Sequence, residues 1–225
     1  MIVSRPARLF LVRHAETEWN TARIFQGRLD SRLTAKGLEQ AARLAARLES
    51  EGIVAVYSSD QGRAFQTADA IASRLGLKVV PRPDLREIDC GDWTGRGYQD
   101  VQSHWPEEHA NWTDRPHLHR MPGGESVVEV QQRGLSFLDE VLRRHPGQSI
   151  CAVTHNTLAR AVVCELMDLP LERLWKVPRQ PNCAINLIEL RNGRPELVIV
   201  GDTSHLDVFQ PPPAPSKQPS SDSIV

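Results

Sequence analysis

The chain lacks what would mark a nucleic-acid binder, a membrane protein or a disulfide-stapled secreted domain. Net charge is −1, from 27 Lys and Arg against 28 Asp and Glu over 225 residues. No global field draws it to nucleic acid or to an anionic membrane, so any pull on an anionic substrate has to be local. The four cysteines, Cys90, Cys151, Cys164 and Cys183, are widely spaced with no Cys-x-x-Cys pair. Two lie inside apolar runs, which reads as buried free thiols in a reducing compartment, not as a disulfide framework or zinc site. No window approaches a membrane span, and the N-terminus shows no basic stretch followed by a long apolar run. The His117-x-His119 pair supplies only two metal ligands, too few to define a site. No internal repeat is visible. These absences leave the expectation of a soluble cytoplasmic protein long enough to bury a sizeable core.

What is there is an alternation of short apolar runs with helical patterns. Leu9-Phe10-Leu11-Val12 is a buried strand that ends in Arg13-His14. Thr34 can cap a helix to about Ser50, with Leu38, Ala41, Ala42, Ala45 and Leu48 at helical spacing, and Gly52 ends it. Ile53–Tyr57 reads as a strand, 62–75 as a helix with Ala64, Ala68, Ile71 and Leu75 inward, and Leu77–Val80 as a strand terminated by Pro81 and Pro83. Connections of this length favour parallel strands with crossover helices. Periodicity is then lost over 84–124, a stretch too long for an ordinary connection and holding Trp93, Trp105 and Trp112; short helical pieces forming a lid are expected. A helix from Ser126 to about His145 has Val127, Val130, Leu138, Val141 and Leu142 inward. Ser149–Val153 is a strand ending at Thr154-His155-Asn156, residues 157–167 are helical, and a shorter helical piece runs from Pro170 to near Val177. Cys183–Leu190 reads as an alternating strand, joined by the Asn192-Gly193 hairpin signal to Glu196–Val200. The expected architecture is an α/β three-layer sandwich, its central sheet mostly parallel with at least one antiparallel strand and helices on both faces. One domain spans 1–208, and the Pro- and Ser-rich 209–225 reads as a flexible tail.

If the sheet is parallel, four polar ends meet on its carboxyl-end side, where open α/β sheets bind ligands: Arg13-His14 with Asn20, Ser58-Ser59 with Arg63 at a helix start, Glu87 at the start of the irregular region, and His155-Asn156. Each has a plainer alternative. Arg13-His14 could be an ordinary strand-end pair bonded to a carboxylate, Arg63 a surface helix residue, Glu87 a solvated loop acid, His155 a satisfied core imidazole. Together they suit phosphoryl transfer. His14, held in one tautomer by a backbone carbonyl, attacks phosphorus, while Arg13, Arg63 and a protonated His155 hold the equatorial oxygens. Glu87 protonates the leaving oxygen and then activates water.

Arg13-His14-Ala15-Glu16-Thr17-Glu18-Trp19-Asn20 resembles the Arg-His-Gly-x-Thr-x-x-Asn signature of the histidine phosphatase superfamily, which includes the cofactor-dependent phosphoglycerate mutases. The resemblance continues in order through Gln26-Gly27-Arg28, Ser58–Ala68, Leu85–Gly95, Pro122–Ser126, Thr154-His155-Asn156 and Asp202–Leu206. It implies a phosphohistidine at His14, a phosphate pocket of Arg13, Arg63 and His155, Glu87 as proton donor, substrate-binding roles for Asn20, Gln26, Gly27 and Asn156, and no metal or cofactor. Two positions depart from the pattern: Ala15 adds a methyl where glycine is usual, and Asn156 stands where glycine commonly follows the second histidine. The mutases have a longer excursion than the 35 positions from Glu87 to Pro122 here and an acid loop of the form Glu-Arg-x-x-Gly, which Glu87-Ile88-Asp89-Cys90-Gly91 does not match. Hydrolysis of small-molecule phosphomonoesters is therefore expected ahead of mutase activity. The partner is a small phosphorylated metabolite, not nucleic acid or membrane, and an exposed edge strand leaves room for a homodimer. Trp93, Trp105, Trp112, His109, Arg115 and His117 either grip the leaving group or pack the lid onto the sheet.

Overall fold

A computed structural model describes residues 5–207; the 209–225 tail lies outside them. Strand β1 (Ala7–Arg13) is apolar without alternation because both of its faces are covered. Leu9 and Leu11 enter one core cluster and Phe10 and Val12 another, all four at most 2% exposed. Thr17 then starts a single-turn helix, α1 (Glu18–Thr21), which the sequence did not announce. Its capping box pairs Thr17 and Asn20 reciprocally, the Asn20 N–H donating to Thr17 Oγ1 and the Thr17 N–H to Asn20 Oδ1.

Helix α2 (Ala35–Leu48) is capped by Thr34 as expected, but its inward stripe is Gly37, Ala41, Leu44, Ala45 and Leu48. Leu38 and Ala42 face outward, Leu38 being 59% exposed. The rotation follows from Gly37, where a Cβ would come within 2.1 Å of the Glu16 carbonyl oxygen: the helix lies directly on that backbone. Strand β2 (Ile53–Ser58) and helix α3 (Gly62–Leu75) match the periodicity, and Gly76 ends α3 in the left-handed region at φ 67°. Strand β3 is reduced to Val79–Pro81. Pro81 does not precede the stop; it is the last paired residue, tolerated because β3 is an edge.

The lid contains α4 (Tyr98–His104) and α5 (Pro106–Asp114), preceded by two single 3₁₀ turns. Helix α6 (Val127–Arg144), opened by a Ser126/Glu129 capping box, buries all five expected positions and adds Gly134 and Phe137. Strand β4 (Ser149–Thr154) and helix α7 (Asn156–Leu166) follow, with His155 at the junction. Only one 3₁₀ turn, Leu171–Arg173, occurs between Pro170 and Val177. The last two strands are β5 (Ile185–Arg191) and β6 (Arg194–Asp202), and their turn holds Asn192 and Gly193 at φ 51° and 77°, as a tight hairpin requires. Strand β5 does not alternate: Ile185, Asn186, Leu187 and Ile188 are all buried, as an interior strand covered on both faces demands.

The sheet order is β3-β2-β4-β1-β5-β6, and β5 alone runs against the rest. Helices α2 and α3 cover one face, α6 and α7 the other, which gives the three-layer α/β sandwich. The register then places the chemistry. Arg13 sits opposite Thr154 across the β1–β4 ladder, so both strands release their histidines side by side, and the His14 N–H donates to the Thr154 carbonyl at 2.9 Å. Among the described residues, no helix is long and apolar enough to cross a membrane.

Candidate active site

A cavity of about 340 Å³ opens at the carboxyl ends of β1, β2 and β4. Arg13, His14, Asn20, Gln26, Gly27, Arg63, Glu87 and Asn156, eight of the nine expected site residues, reach its surface. His155 does not. It lies behind His14, fully buried, with ring centroids 5.1 Å apart.

His14 is 3% exposed. Its Nδ1 lies 2.7 Å from the Ala15 carbonyl oxygen, which can only accept, so Nδ1 carries the proton and Nε2 the lone pair. Burial, then the charges of Arg63 and Arg13, hold its pKa well below the usual imidazole range; the ring is neutral and nucleophilic. His155 is pushed the same way, by burial first and then Arg63 and His14. The expected protonated His155 is therefore a neutral ring. Its Nε2 pairs with Ser59 Oγ at 2.9 Å, and its Nδ1 has no partner among the described residues.

The two guanidinium groups are held by backbone oxygens. Arg63 donates to the carbonyls of Leu29 (2.7 Å) and Gly27 (3.1 Å) and to Asp30 (2.9 Å); Arg13 donates to the Gln180 carbonyl (2.7 Å). Each keeps a buried Nε without a partner among the described residues, and burial lowers both pKa values against the pull of Glu87. The first backbone donors of α3 are taken: Asp30 accepts from the N–H groups of both Gly62 and Arg63. Glu87 occupies the other helix start. Its Oε1 accepts from the N–H of Ile88 (2.9 Å) and of Thr157 in the first turn of α7 (3.2 Å).

Asn20 Oδ1 accepts from the Thr17 N–H and from Asn182 Nδ2 (3.1 Å), which leaves its NH₂ group as the free donor. Gln26 is spent on the loop itself, donating to Thr17 Oγ1 and accepting from Ser31. The Asn156 side chain accepts from Arg160 Nε; its backbone is helical, so left-handed geometry is not what asparagine supplies there. The Ala15 methyl is buried in the α2–α3 cluster and does not reach the cavity, so it does not narrow the pocket. Of the three lid tryptophans, Trp93 is fully buried and Trp105 packs on the core, while Trp112 lines the cavity beside His109. His119 stacks on Trp93 at 5.6 Å, and among the described residues no three His, Cys, Asp or Glu side chains cluster as metal ligands.

Several supporting residues were not singled out in the sequence. Cys183, at φ 59° and fully buried, donates its N–H to the carbonyls of Arg13 and His14 (3.1 and 3.3 Å), while Asn182 Nδ2 donates to the His14 carbonyl (3.0 Å). Arg133 reaches from α6 to the carbonyls of Asp84, Arg86 and Glu87 and so fixes the acid loop. Its position between Val130, Gly134 and Phe137 on an otherwise apolar stripe was a readable signal. Asn186, a polar residue inside the apolar β5 run, was another; its Nδ2 donates to Gln180 Oε1 behind Arg13.

A family model described as the histidine phosphatase superfamily (branch 1) matches residues 9–203. The chain belongs to the histidine phosphatase superfamily. This histidine phosphatase is accordingly a phosphoric monoester hydrolase. It is similar to phosphoserine phosphatase 1 of Hydrogenobacter thermophilus, at 36% identity over 202 residues, 90% of this chain and 95% of that protein. A probable phosphoglycerate mutase GpmB of Yersinia enterocolitica is 36% identical over 209 residues, 89% of this chain and 95% of its own. Among solved structures, Bacillus stearothermophilus YhfR superposes with a TM-score of 0.86 at 34% identity, covering 89% of this chain and 100% of that one.

Proposed function

We propose that the protein hydrolyses small phosphomonoesters by a two-step transfer through His14, with the residues of the cavity floor in fixed roles. The observation that carries this is the tautomer of His14: a neutral ring with its lone pair on Nε2, beside two guanidinium groups that each retain an unpartnered Nε among the described residues. His14 Nε2 forms a bond to phosphorus as the ester P–O bond breaks, and Glu87 gives its proton to the departing alkoxide. Glu87 then takes a proton from water as that water attacks the phosphohistidine, releasing inorganic phosphate and restoring the neutral imidazole. Arg13, Arg63 and the Asn20 NH₂ group receive the phosphoryl oxygens, whose developing charge they stabilise without reorganising. His155 packs behind His14 and backs the pocket.

No step calls for a metal. The short 84–124 segment favours hydrolysis over mutase chemistry. Residues 1–208 act as one domain, since one sheet contains strands from residue 7 to residue 202. Four buried free thiols support a cytoplasmic setting. The test follows free phosphate from a panel of phosphomonoesters with and without EDTA. Turnover indifferent to EDTA, lost in His14→Ala, with acid-labile phosphate trapped on His14, is the expected result. Isomerisation of 3-phosphoglycerate faster than its hydrolysis would instead make the protein a mutase.

A further inference from the structure

The cavity has two chemically different halves, and the outer one names the leaving group. Beyond Arg13, His14 and Arg63, the wall is built from Ile24, Phe25, Ile88, Tyr98, Trp112 and Trp175. The aromatic rings are fixed in pairs. Phe25 and Tyr98 lie 4.2 Å apart between centroids. Trp112 and Trp175 meet edge-on at 4.7 Å, and Trp175 Nε1 donates to the Trp112 carbonyl at 2.8 Å, so the indole is locked in place. Pre-fixed rings lose little entropy when a second apolar surface is laid against them.

The same wall lacks a counter-ion. Among the described residues, no Lys or Arg other than Arg13 and Arg63 lines the cavity. Two guanidinium groups come near without reaching its surface. Arg160 stacks over Trp175 at 5.6 Å and donates to Asn156 Oδ1 and to the carbonyls of Leu174 and Val177. Arg23 is exposed, close enough to Tyr98 to act on its charge but not part of the lining. His109 sits against Trp93 at 6.3 Å, and Thr113 and Asn156 are uncharged. A carboxylate on the leaving group would be stripped of water here with no cation to meet it.

We propose that the preferred substrates are phosphomonoesters of uncharged, aromatic or bulky apolar alcohols, and that esters carrying a carboxylate on the alcohol are poor ones. This rests on the phosphatase reading and goes beyond it. It also departs from what the name of the phosphoserine phosphatase relative would suggest. The 340 Å³ of the cavity is at the small end of ligand sites, enough for a phosphoryl group and a ring and not for a peptide.

The test compares kcat/KM for benzyl phosphate, propyl phosphate, O-phosphoserine and 3-phosphoglycerate. All are alkyl esters, so leaving-group basicity does not set the order. Benzyl phosphate is expected to exceed propyl phosphate by about tenfold or more, the effect of a few buried carbons in an apolar pocket, and propyl phosphate to exceed both carboxylated esters. Trp112→Ala and Trp175→Ala are expected to bring the benzyl-to-propyl ratio toward one. Because the ratio is taken on one preparation, it does not depend on how much of a variant is folded. O-phosphoserine or 3-phosphoglycerate matching or exceeding benzyl phosphate overturns the inference and leaves the phosphatase reading standing, as does a benzyl-to-propyl ratio unchanged in both variants. Turnover of none of the four overturns the phosphatase reading and this inference with it.

Discussion

The floor and the wall of the cavity are made by opposite means. The floor is Arg13 and His14 at the end of β1 with Arg63 at the start of α3 and Glu87 against the start of α7, backed by Ser59 and His155 at the ends of β2 and β4, which the ladder register sets side by side. Each polar group there is held by backbone oxygens or short side-chain bonds, and what is left unpaired is the set of donors a phosphoryl group would complete. The wall comes from Ile24 and Phe25, from residues of the irregular segment beyond Glu87 (Ile88, Tyr98, Trp112) and from Trp175, and is held by ring contacts and a few anchors. The difference teaches that reaction chemistry and choice of substrate are built on separate sets of residues, with Glu87 the one reacting group drawn from the segment that also builds the wall. A change in the floor should therefore cost rate on every ester, and a change in the wall should reorder esters.

The sharpest break in that comparison is on the floor. Arg63→Met removes a charge-assisted donor aimed at the phosphoryl oxygens and is expected to lower kcat/KM by about 10²–10³ on every substrate alike. It should also lower the melting temperature, because the Gly27 and Leu29 carbonyls and Asp30 lose their partner. An ester-dependent loss would mean that Arg63 reads the leaving group instead. Glu87→Gln comes next. It keeps the hydrogen bonds from Ile88 and Thr157 but has no proton to give, so alkyl esters should slow by about 10²–10³ and p-nitrophenyl phosphate, whose leaving group needs little protonation, by clearly less in the first step. A burst of p-nitrophenol ahead of phosphate in rapid mixing would show the phosphoenzyme waiting for water. Equal slowing of both esters would remove Glu87 from the acid role.

Arg133→Met tests the joint between the two regions. This side chain touches no substrate, yet it holds the carbonyls of Asp84, Arg86 and Glu87 and pairs with Glu125. Truncating it leaves three partly buried carbonyls short of a donor, at about 1–3 kcal/mol for each that water cannot reach. The expected result is a drop in kcat larger than any change in KM, with Arg133→Lys recovering part of it. A loss of stability alone, with kcat intact in the folded fraction, would leave Arg133 a packing residue and no more.

How much of this was legible in the sequence follows the same division. The β1 and β4 runs, the Thr34 and Ser126 caps and the Asn192-Gly193 turn are local signals, and each produced the element it announced. So did the convergence of Arg13, His14, Arg63 and Glu87, since a parallel sheet sends its strand ends to one side. What misleads is tertiary. Leu38 satisfies helical spacing but is turned outward by the close seat of Gly37 on Glu16. A protonated His155 is chemically sensible, yet burial, and after it the charges of Arg63, His14, Arg133 and Arg13, push its pKa well below the ordinary imidazole value. Cys183 and Asn182 carry no pattern; their role exists only because β5 folds back against β1. Trp175 reads as part of a connecting helical piece, and only the folded chain shows it closing the wall over Trp112.

The smallest expected effect concerns pH, and it separates floor from wall by charge. His14 and His155 are held well below the ordinary imidazole pKa in the folded protein but regain about 6.5 when unfolded. Below that value the unfolded chain binds protons that the folded chain does not, so these two residues make stability fall as pH drops from about 7 toward 5, by linkage. At higher pH both states hold neutral rings and the dependence vanishes. Urea midpoints at pH 7 and pH 5 should differ in that direction, and His155→Asn should lessen the difference. In kcat/KM, which reports the free enzyme, the acid limb belonging to His14 should lie below the normal imidazole range once the ester's own second ionisation near about 6 is factored out. Trp112→Ala should leave both profiles where they are, because the charges that disfavour protonation of those rings, Arg63 and Arg13 foremost, are on the floor. An acid limb that moves with Trp112, or one that sits at the value of a free imidazole, would mean that the floor is wetter than its burial implies.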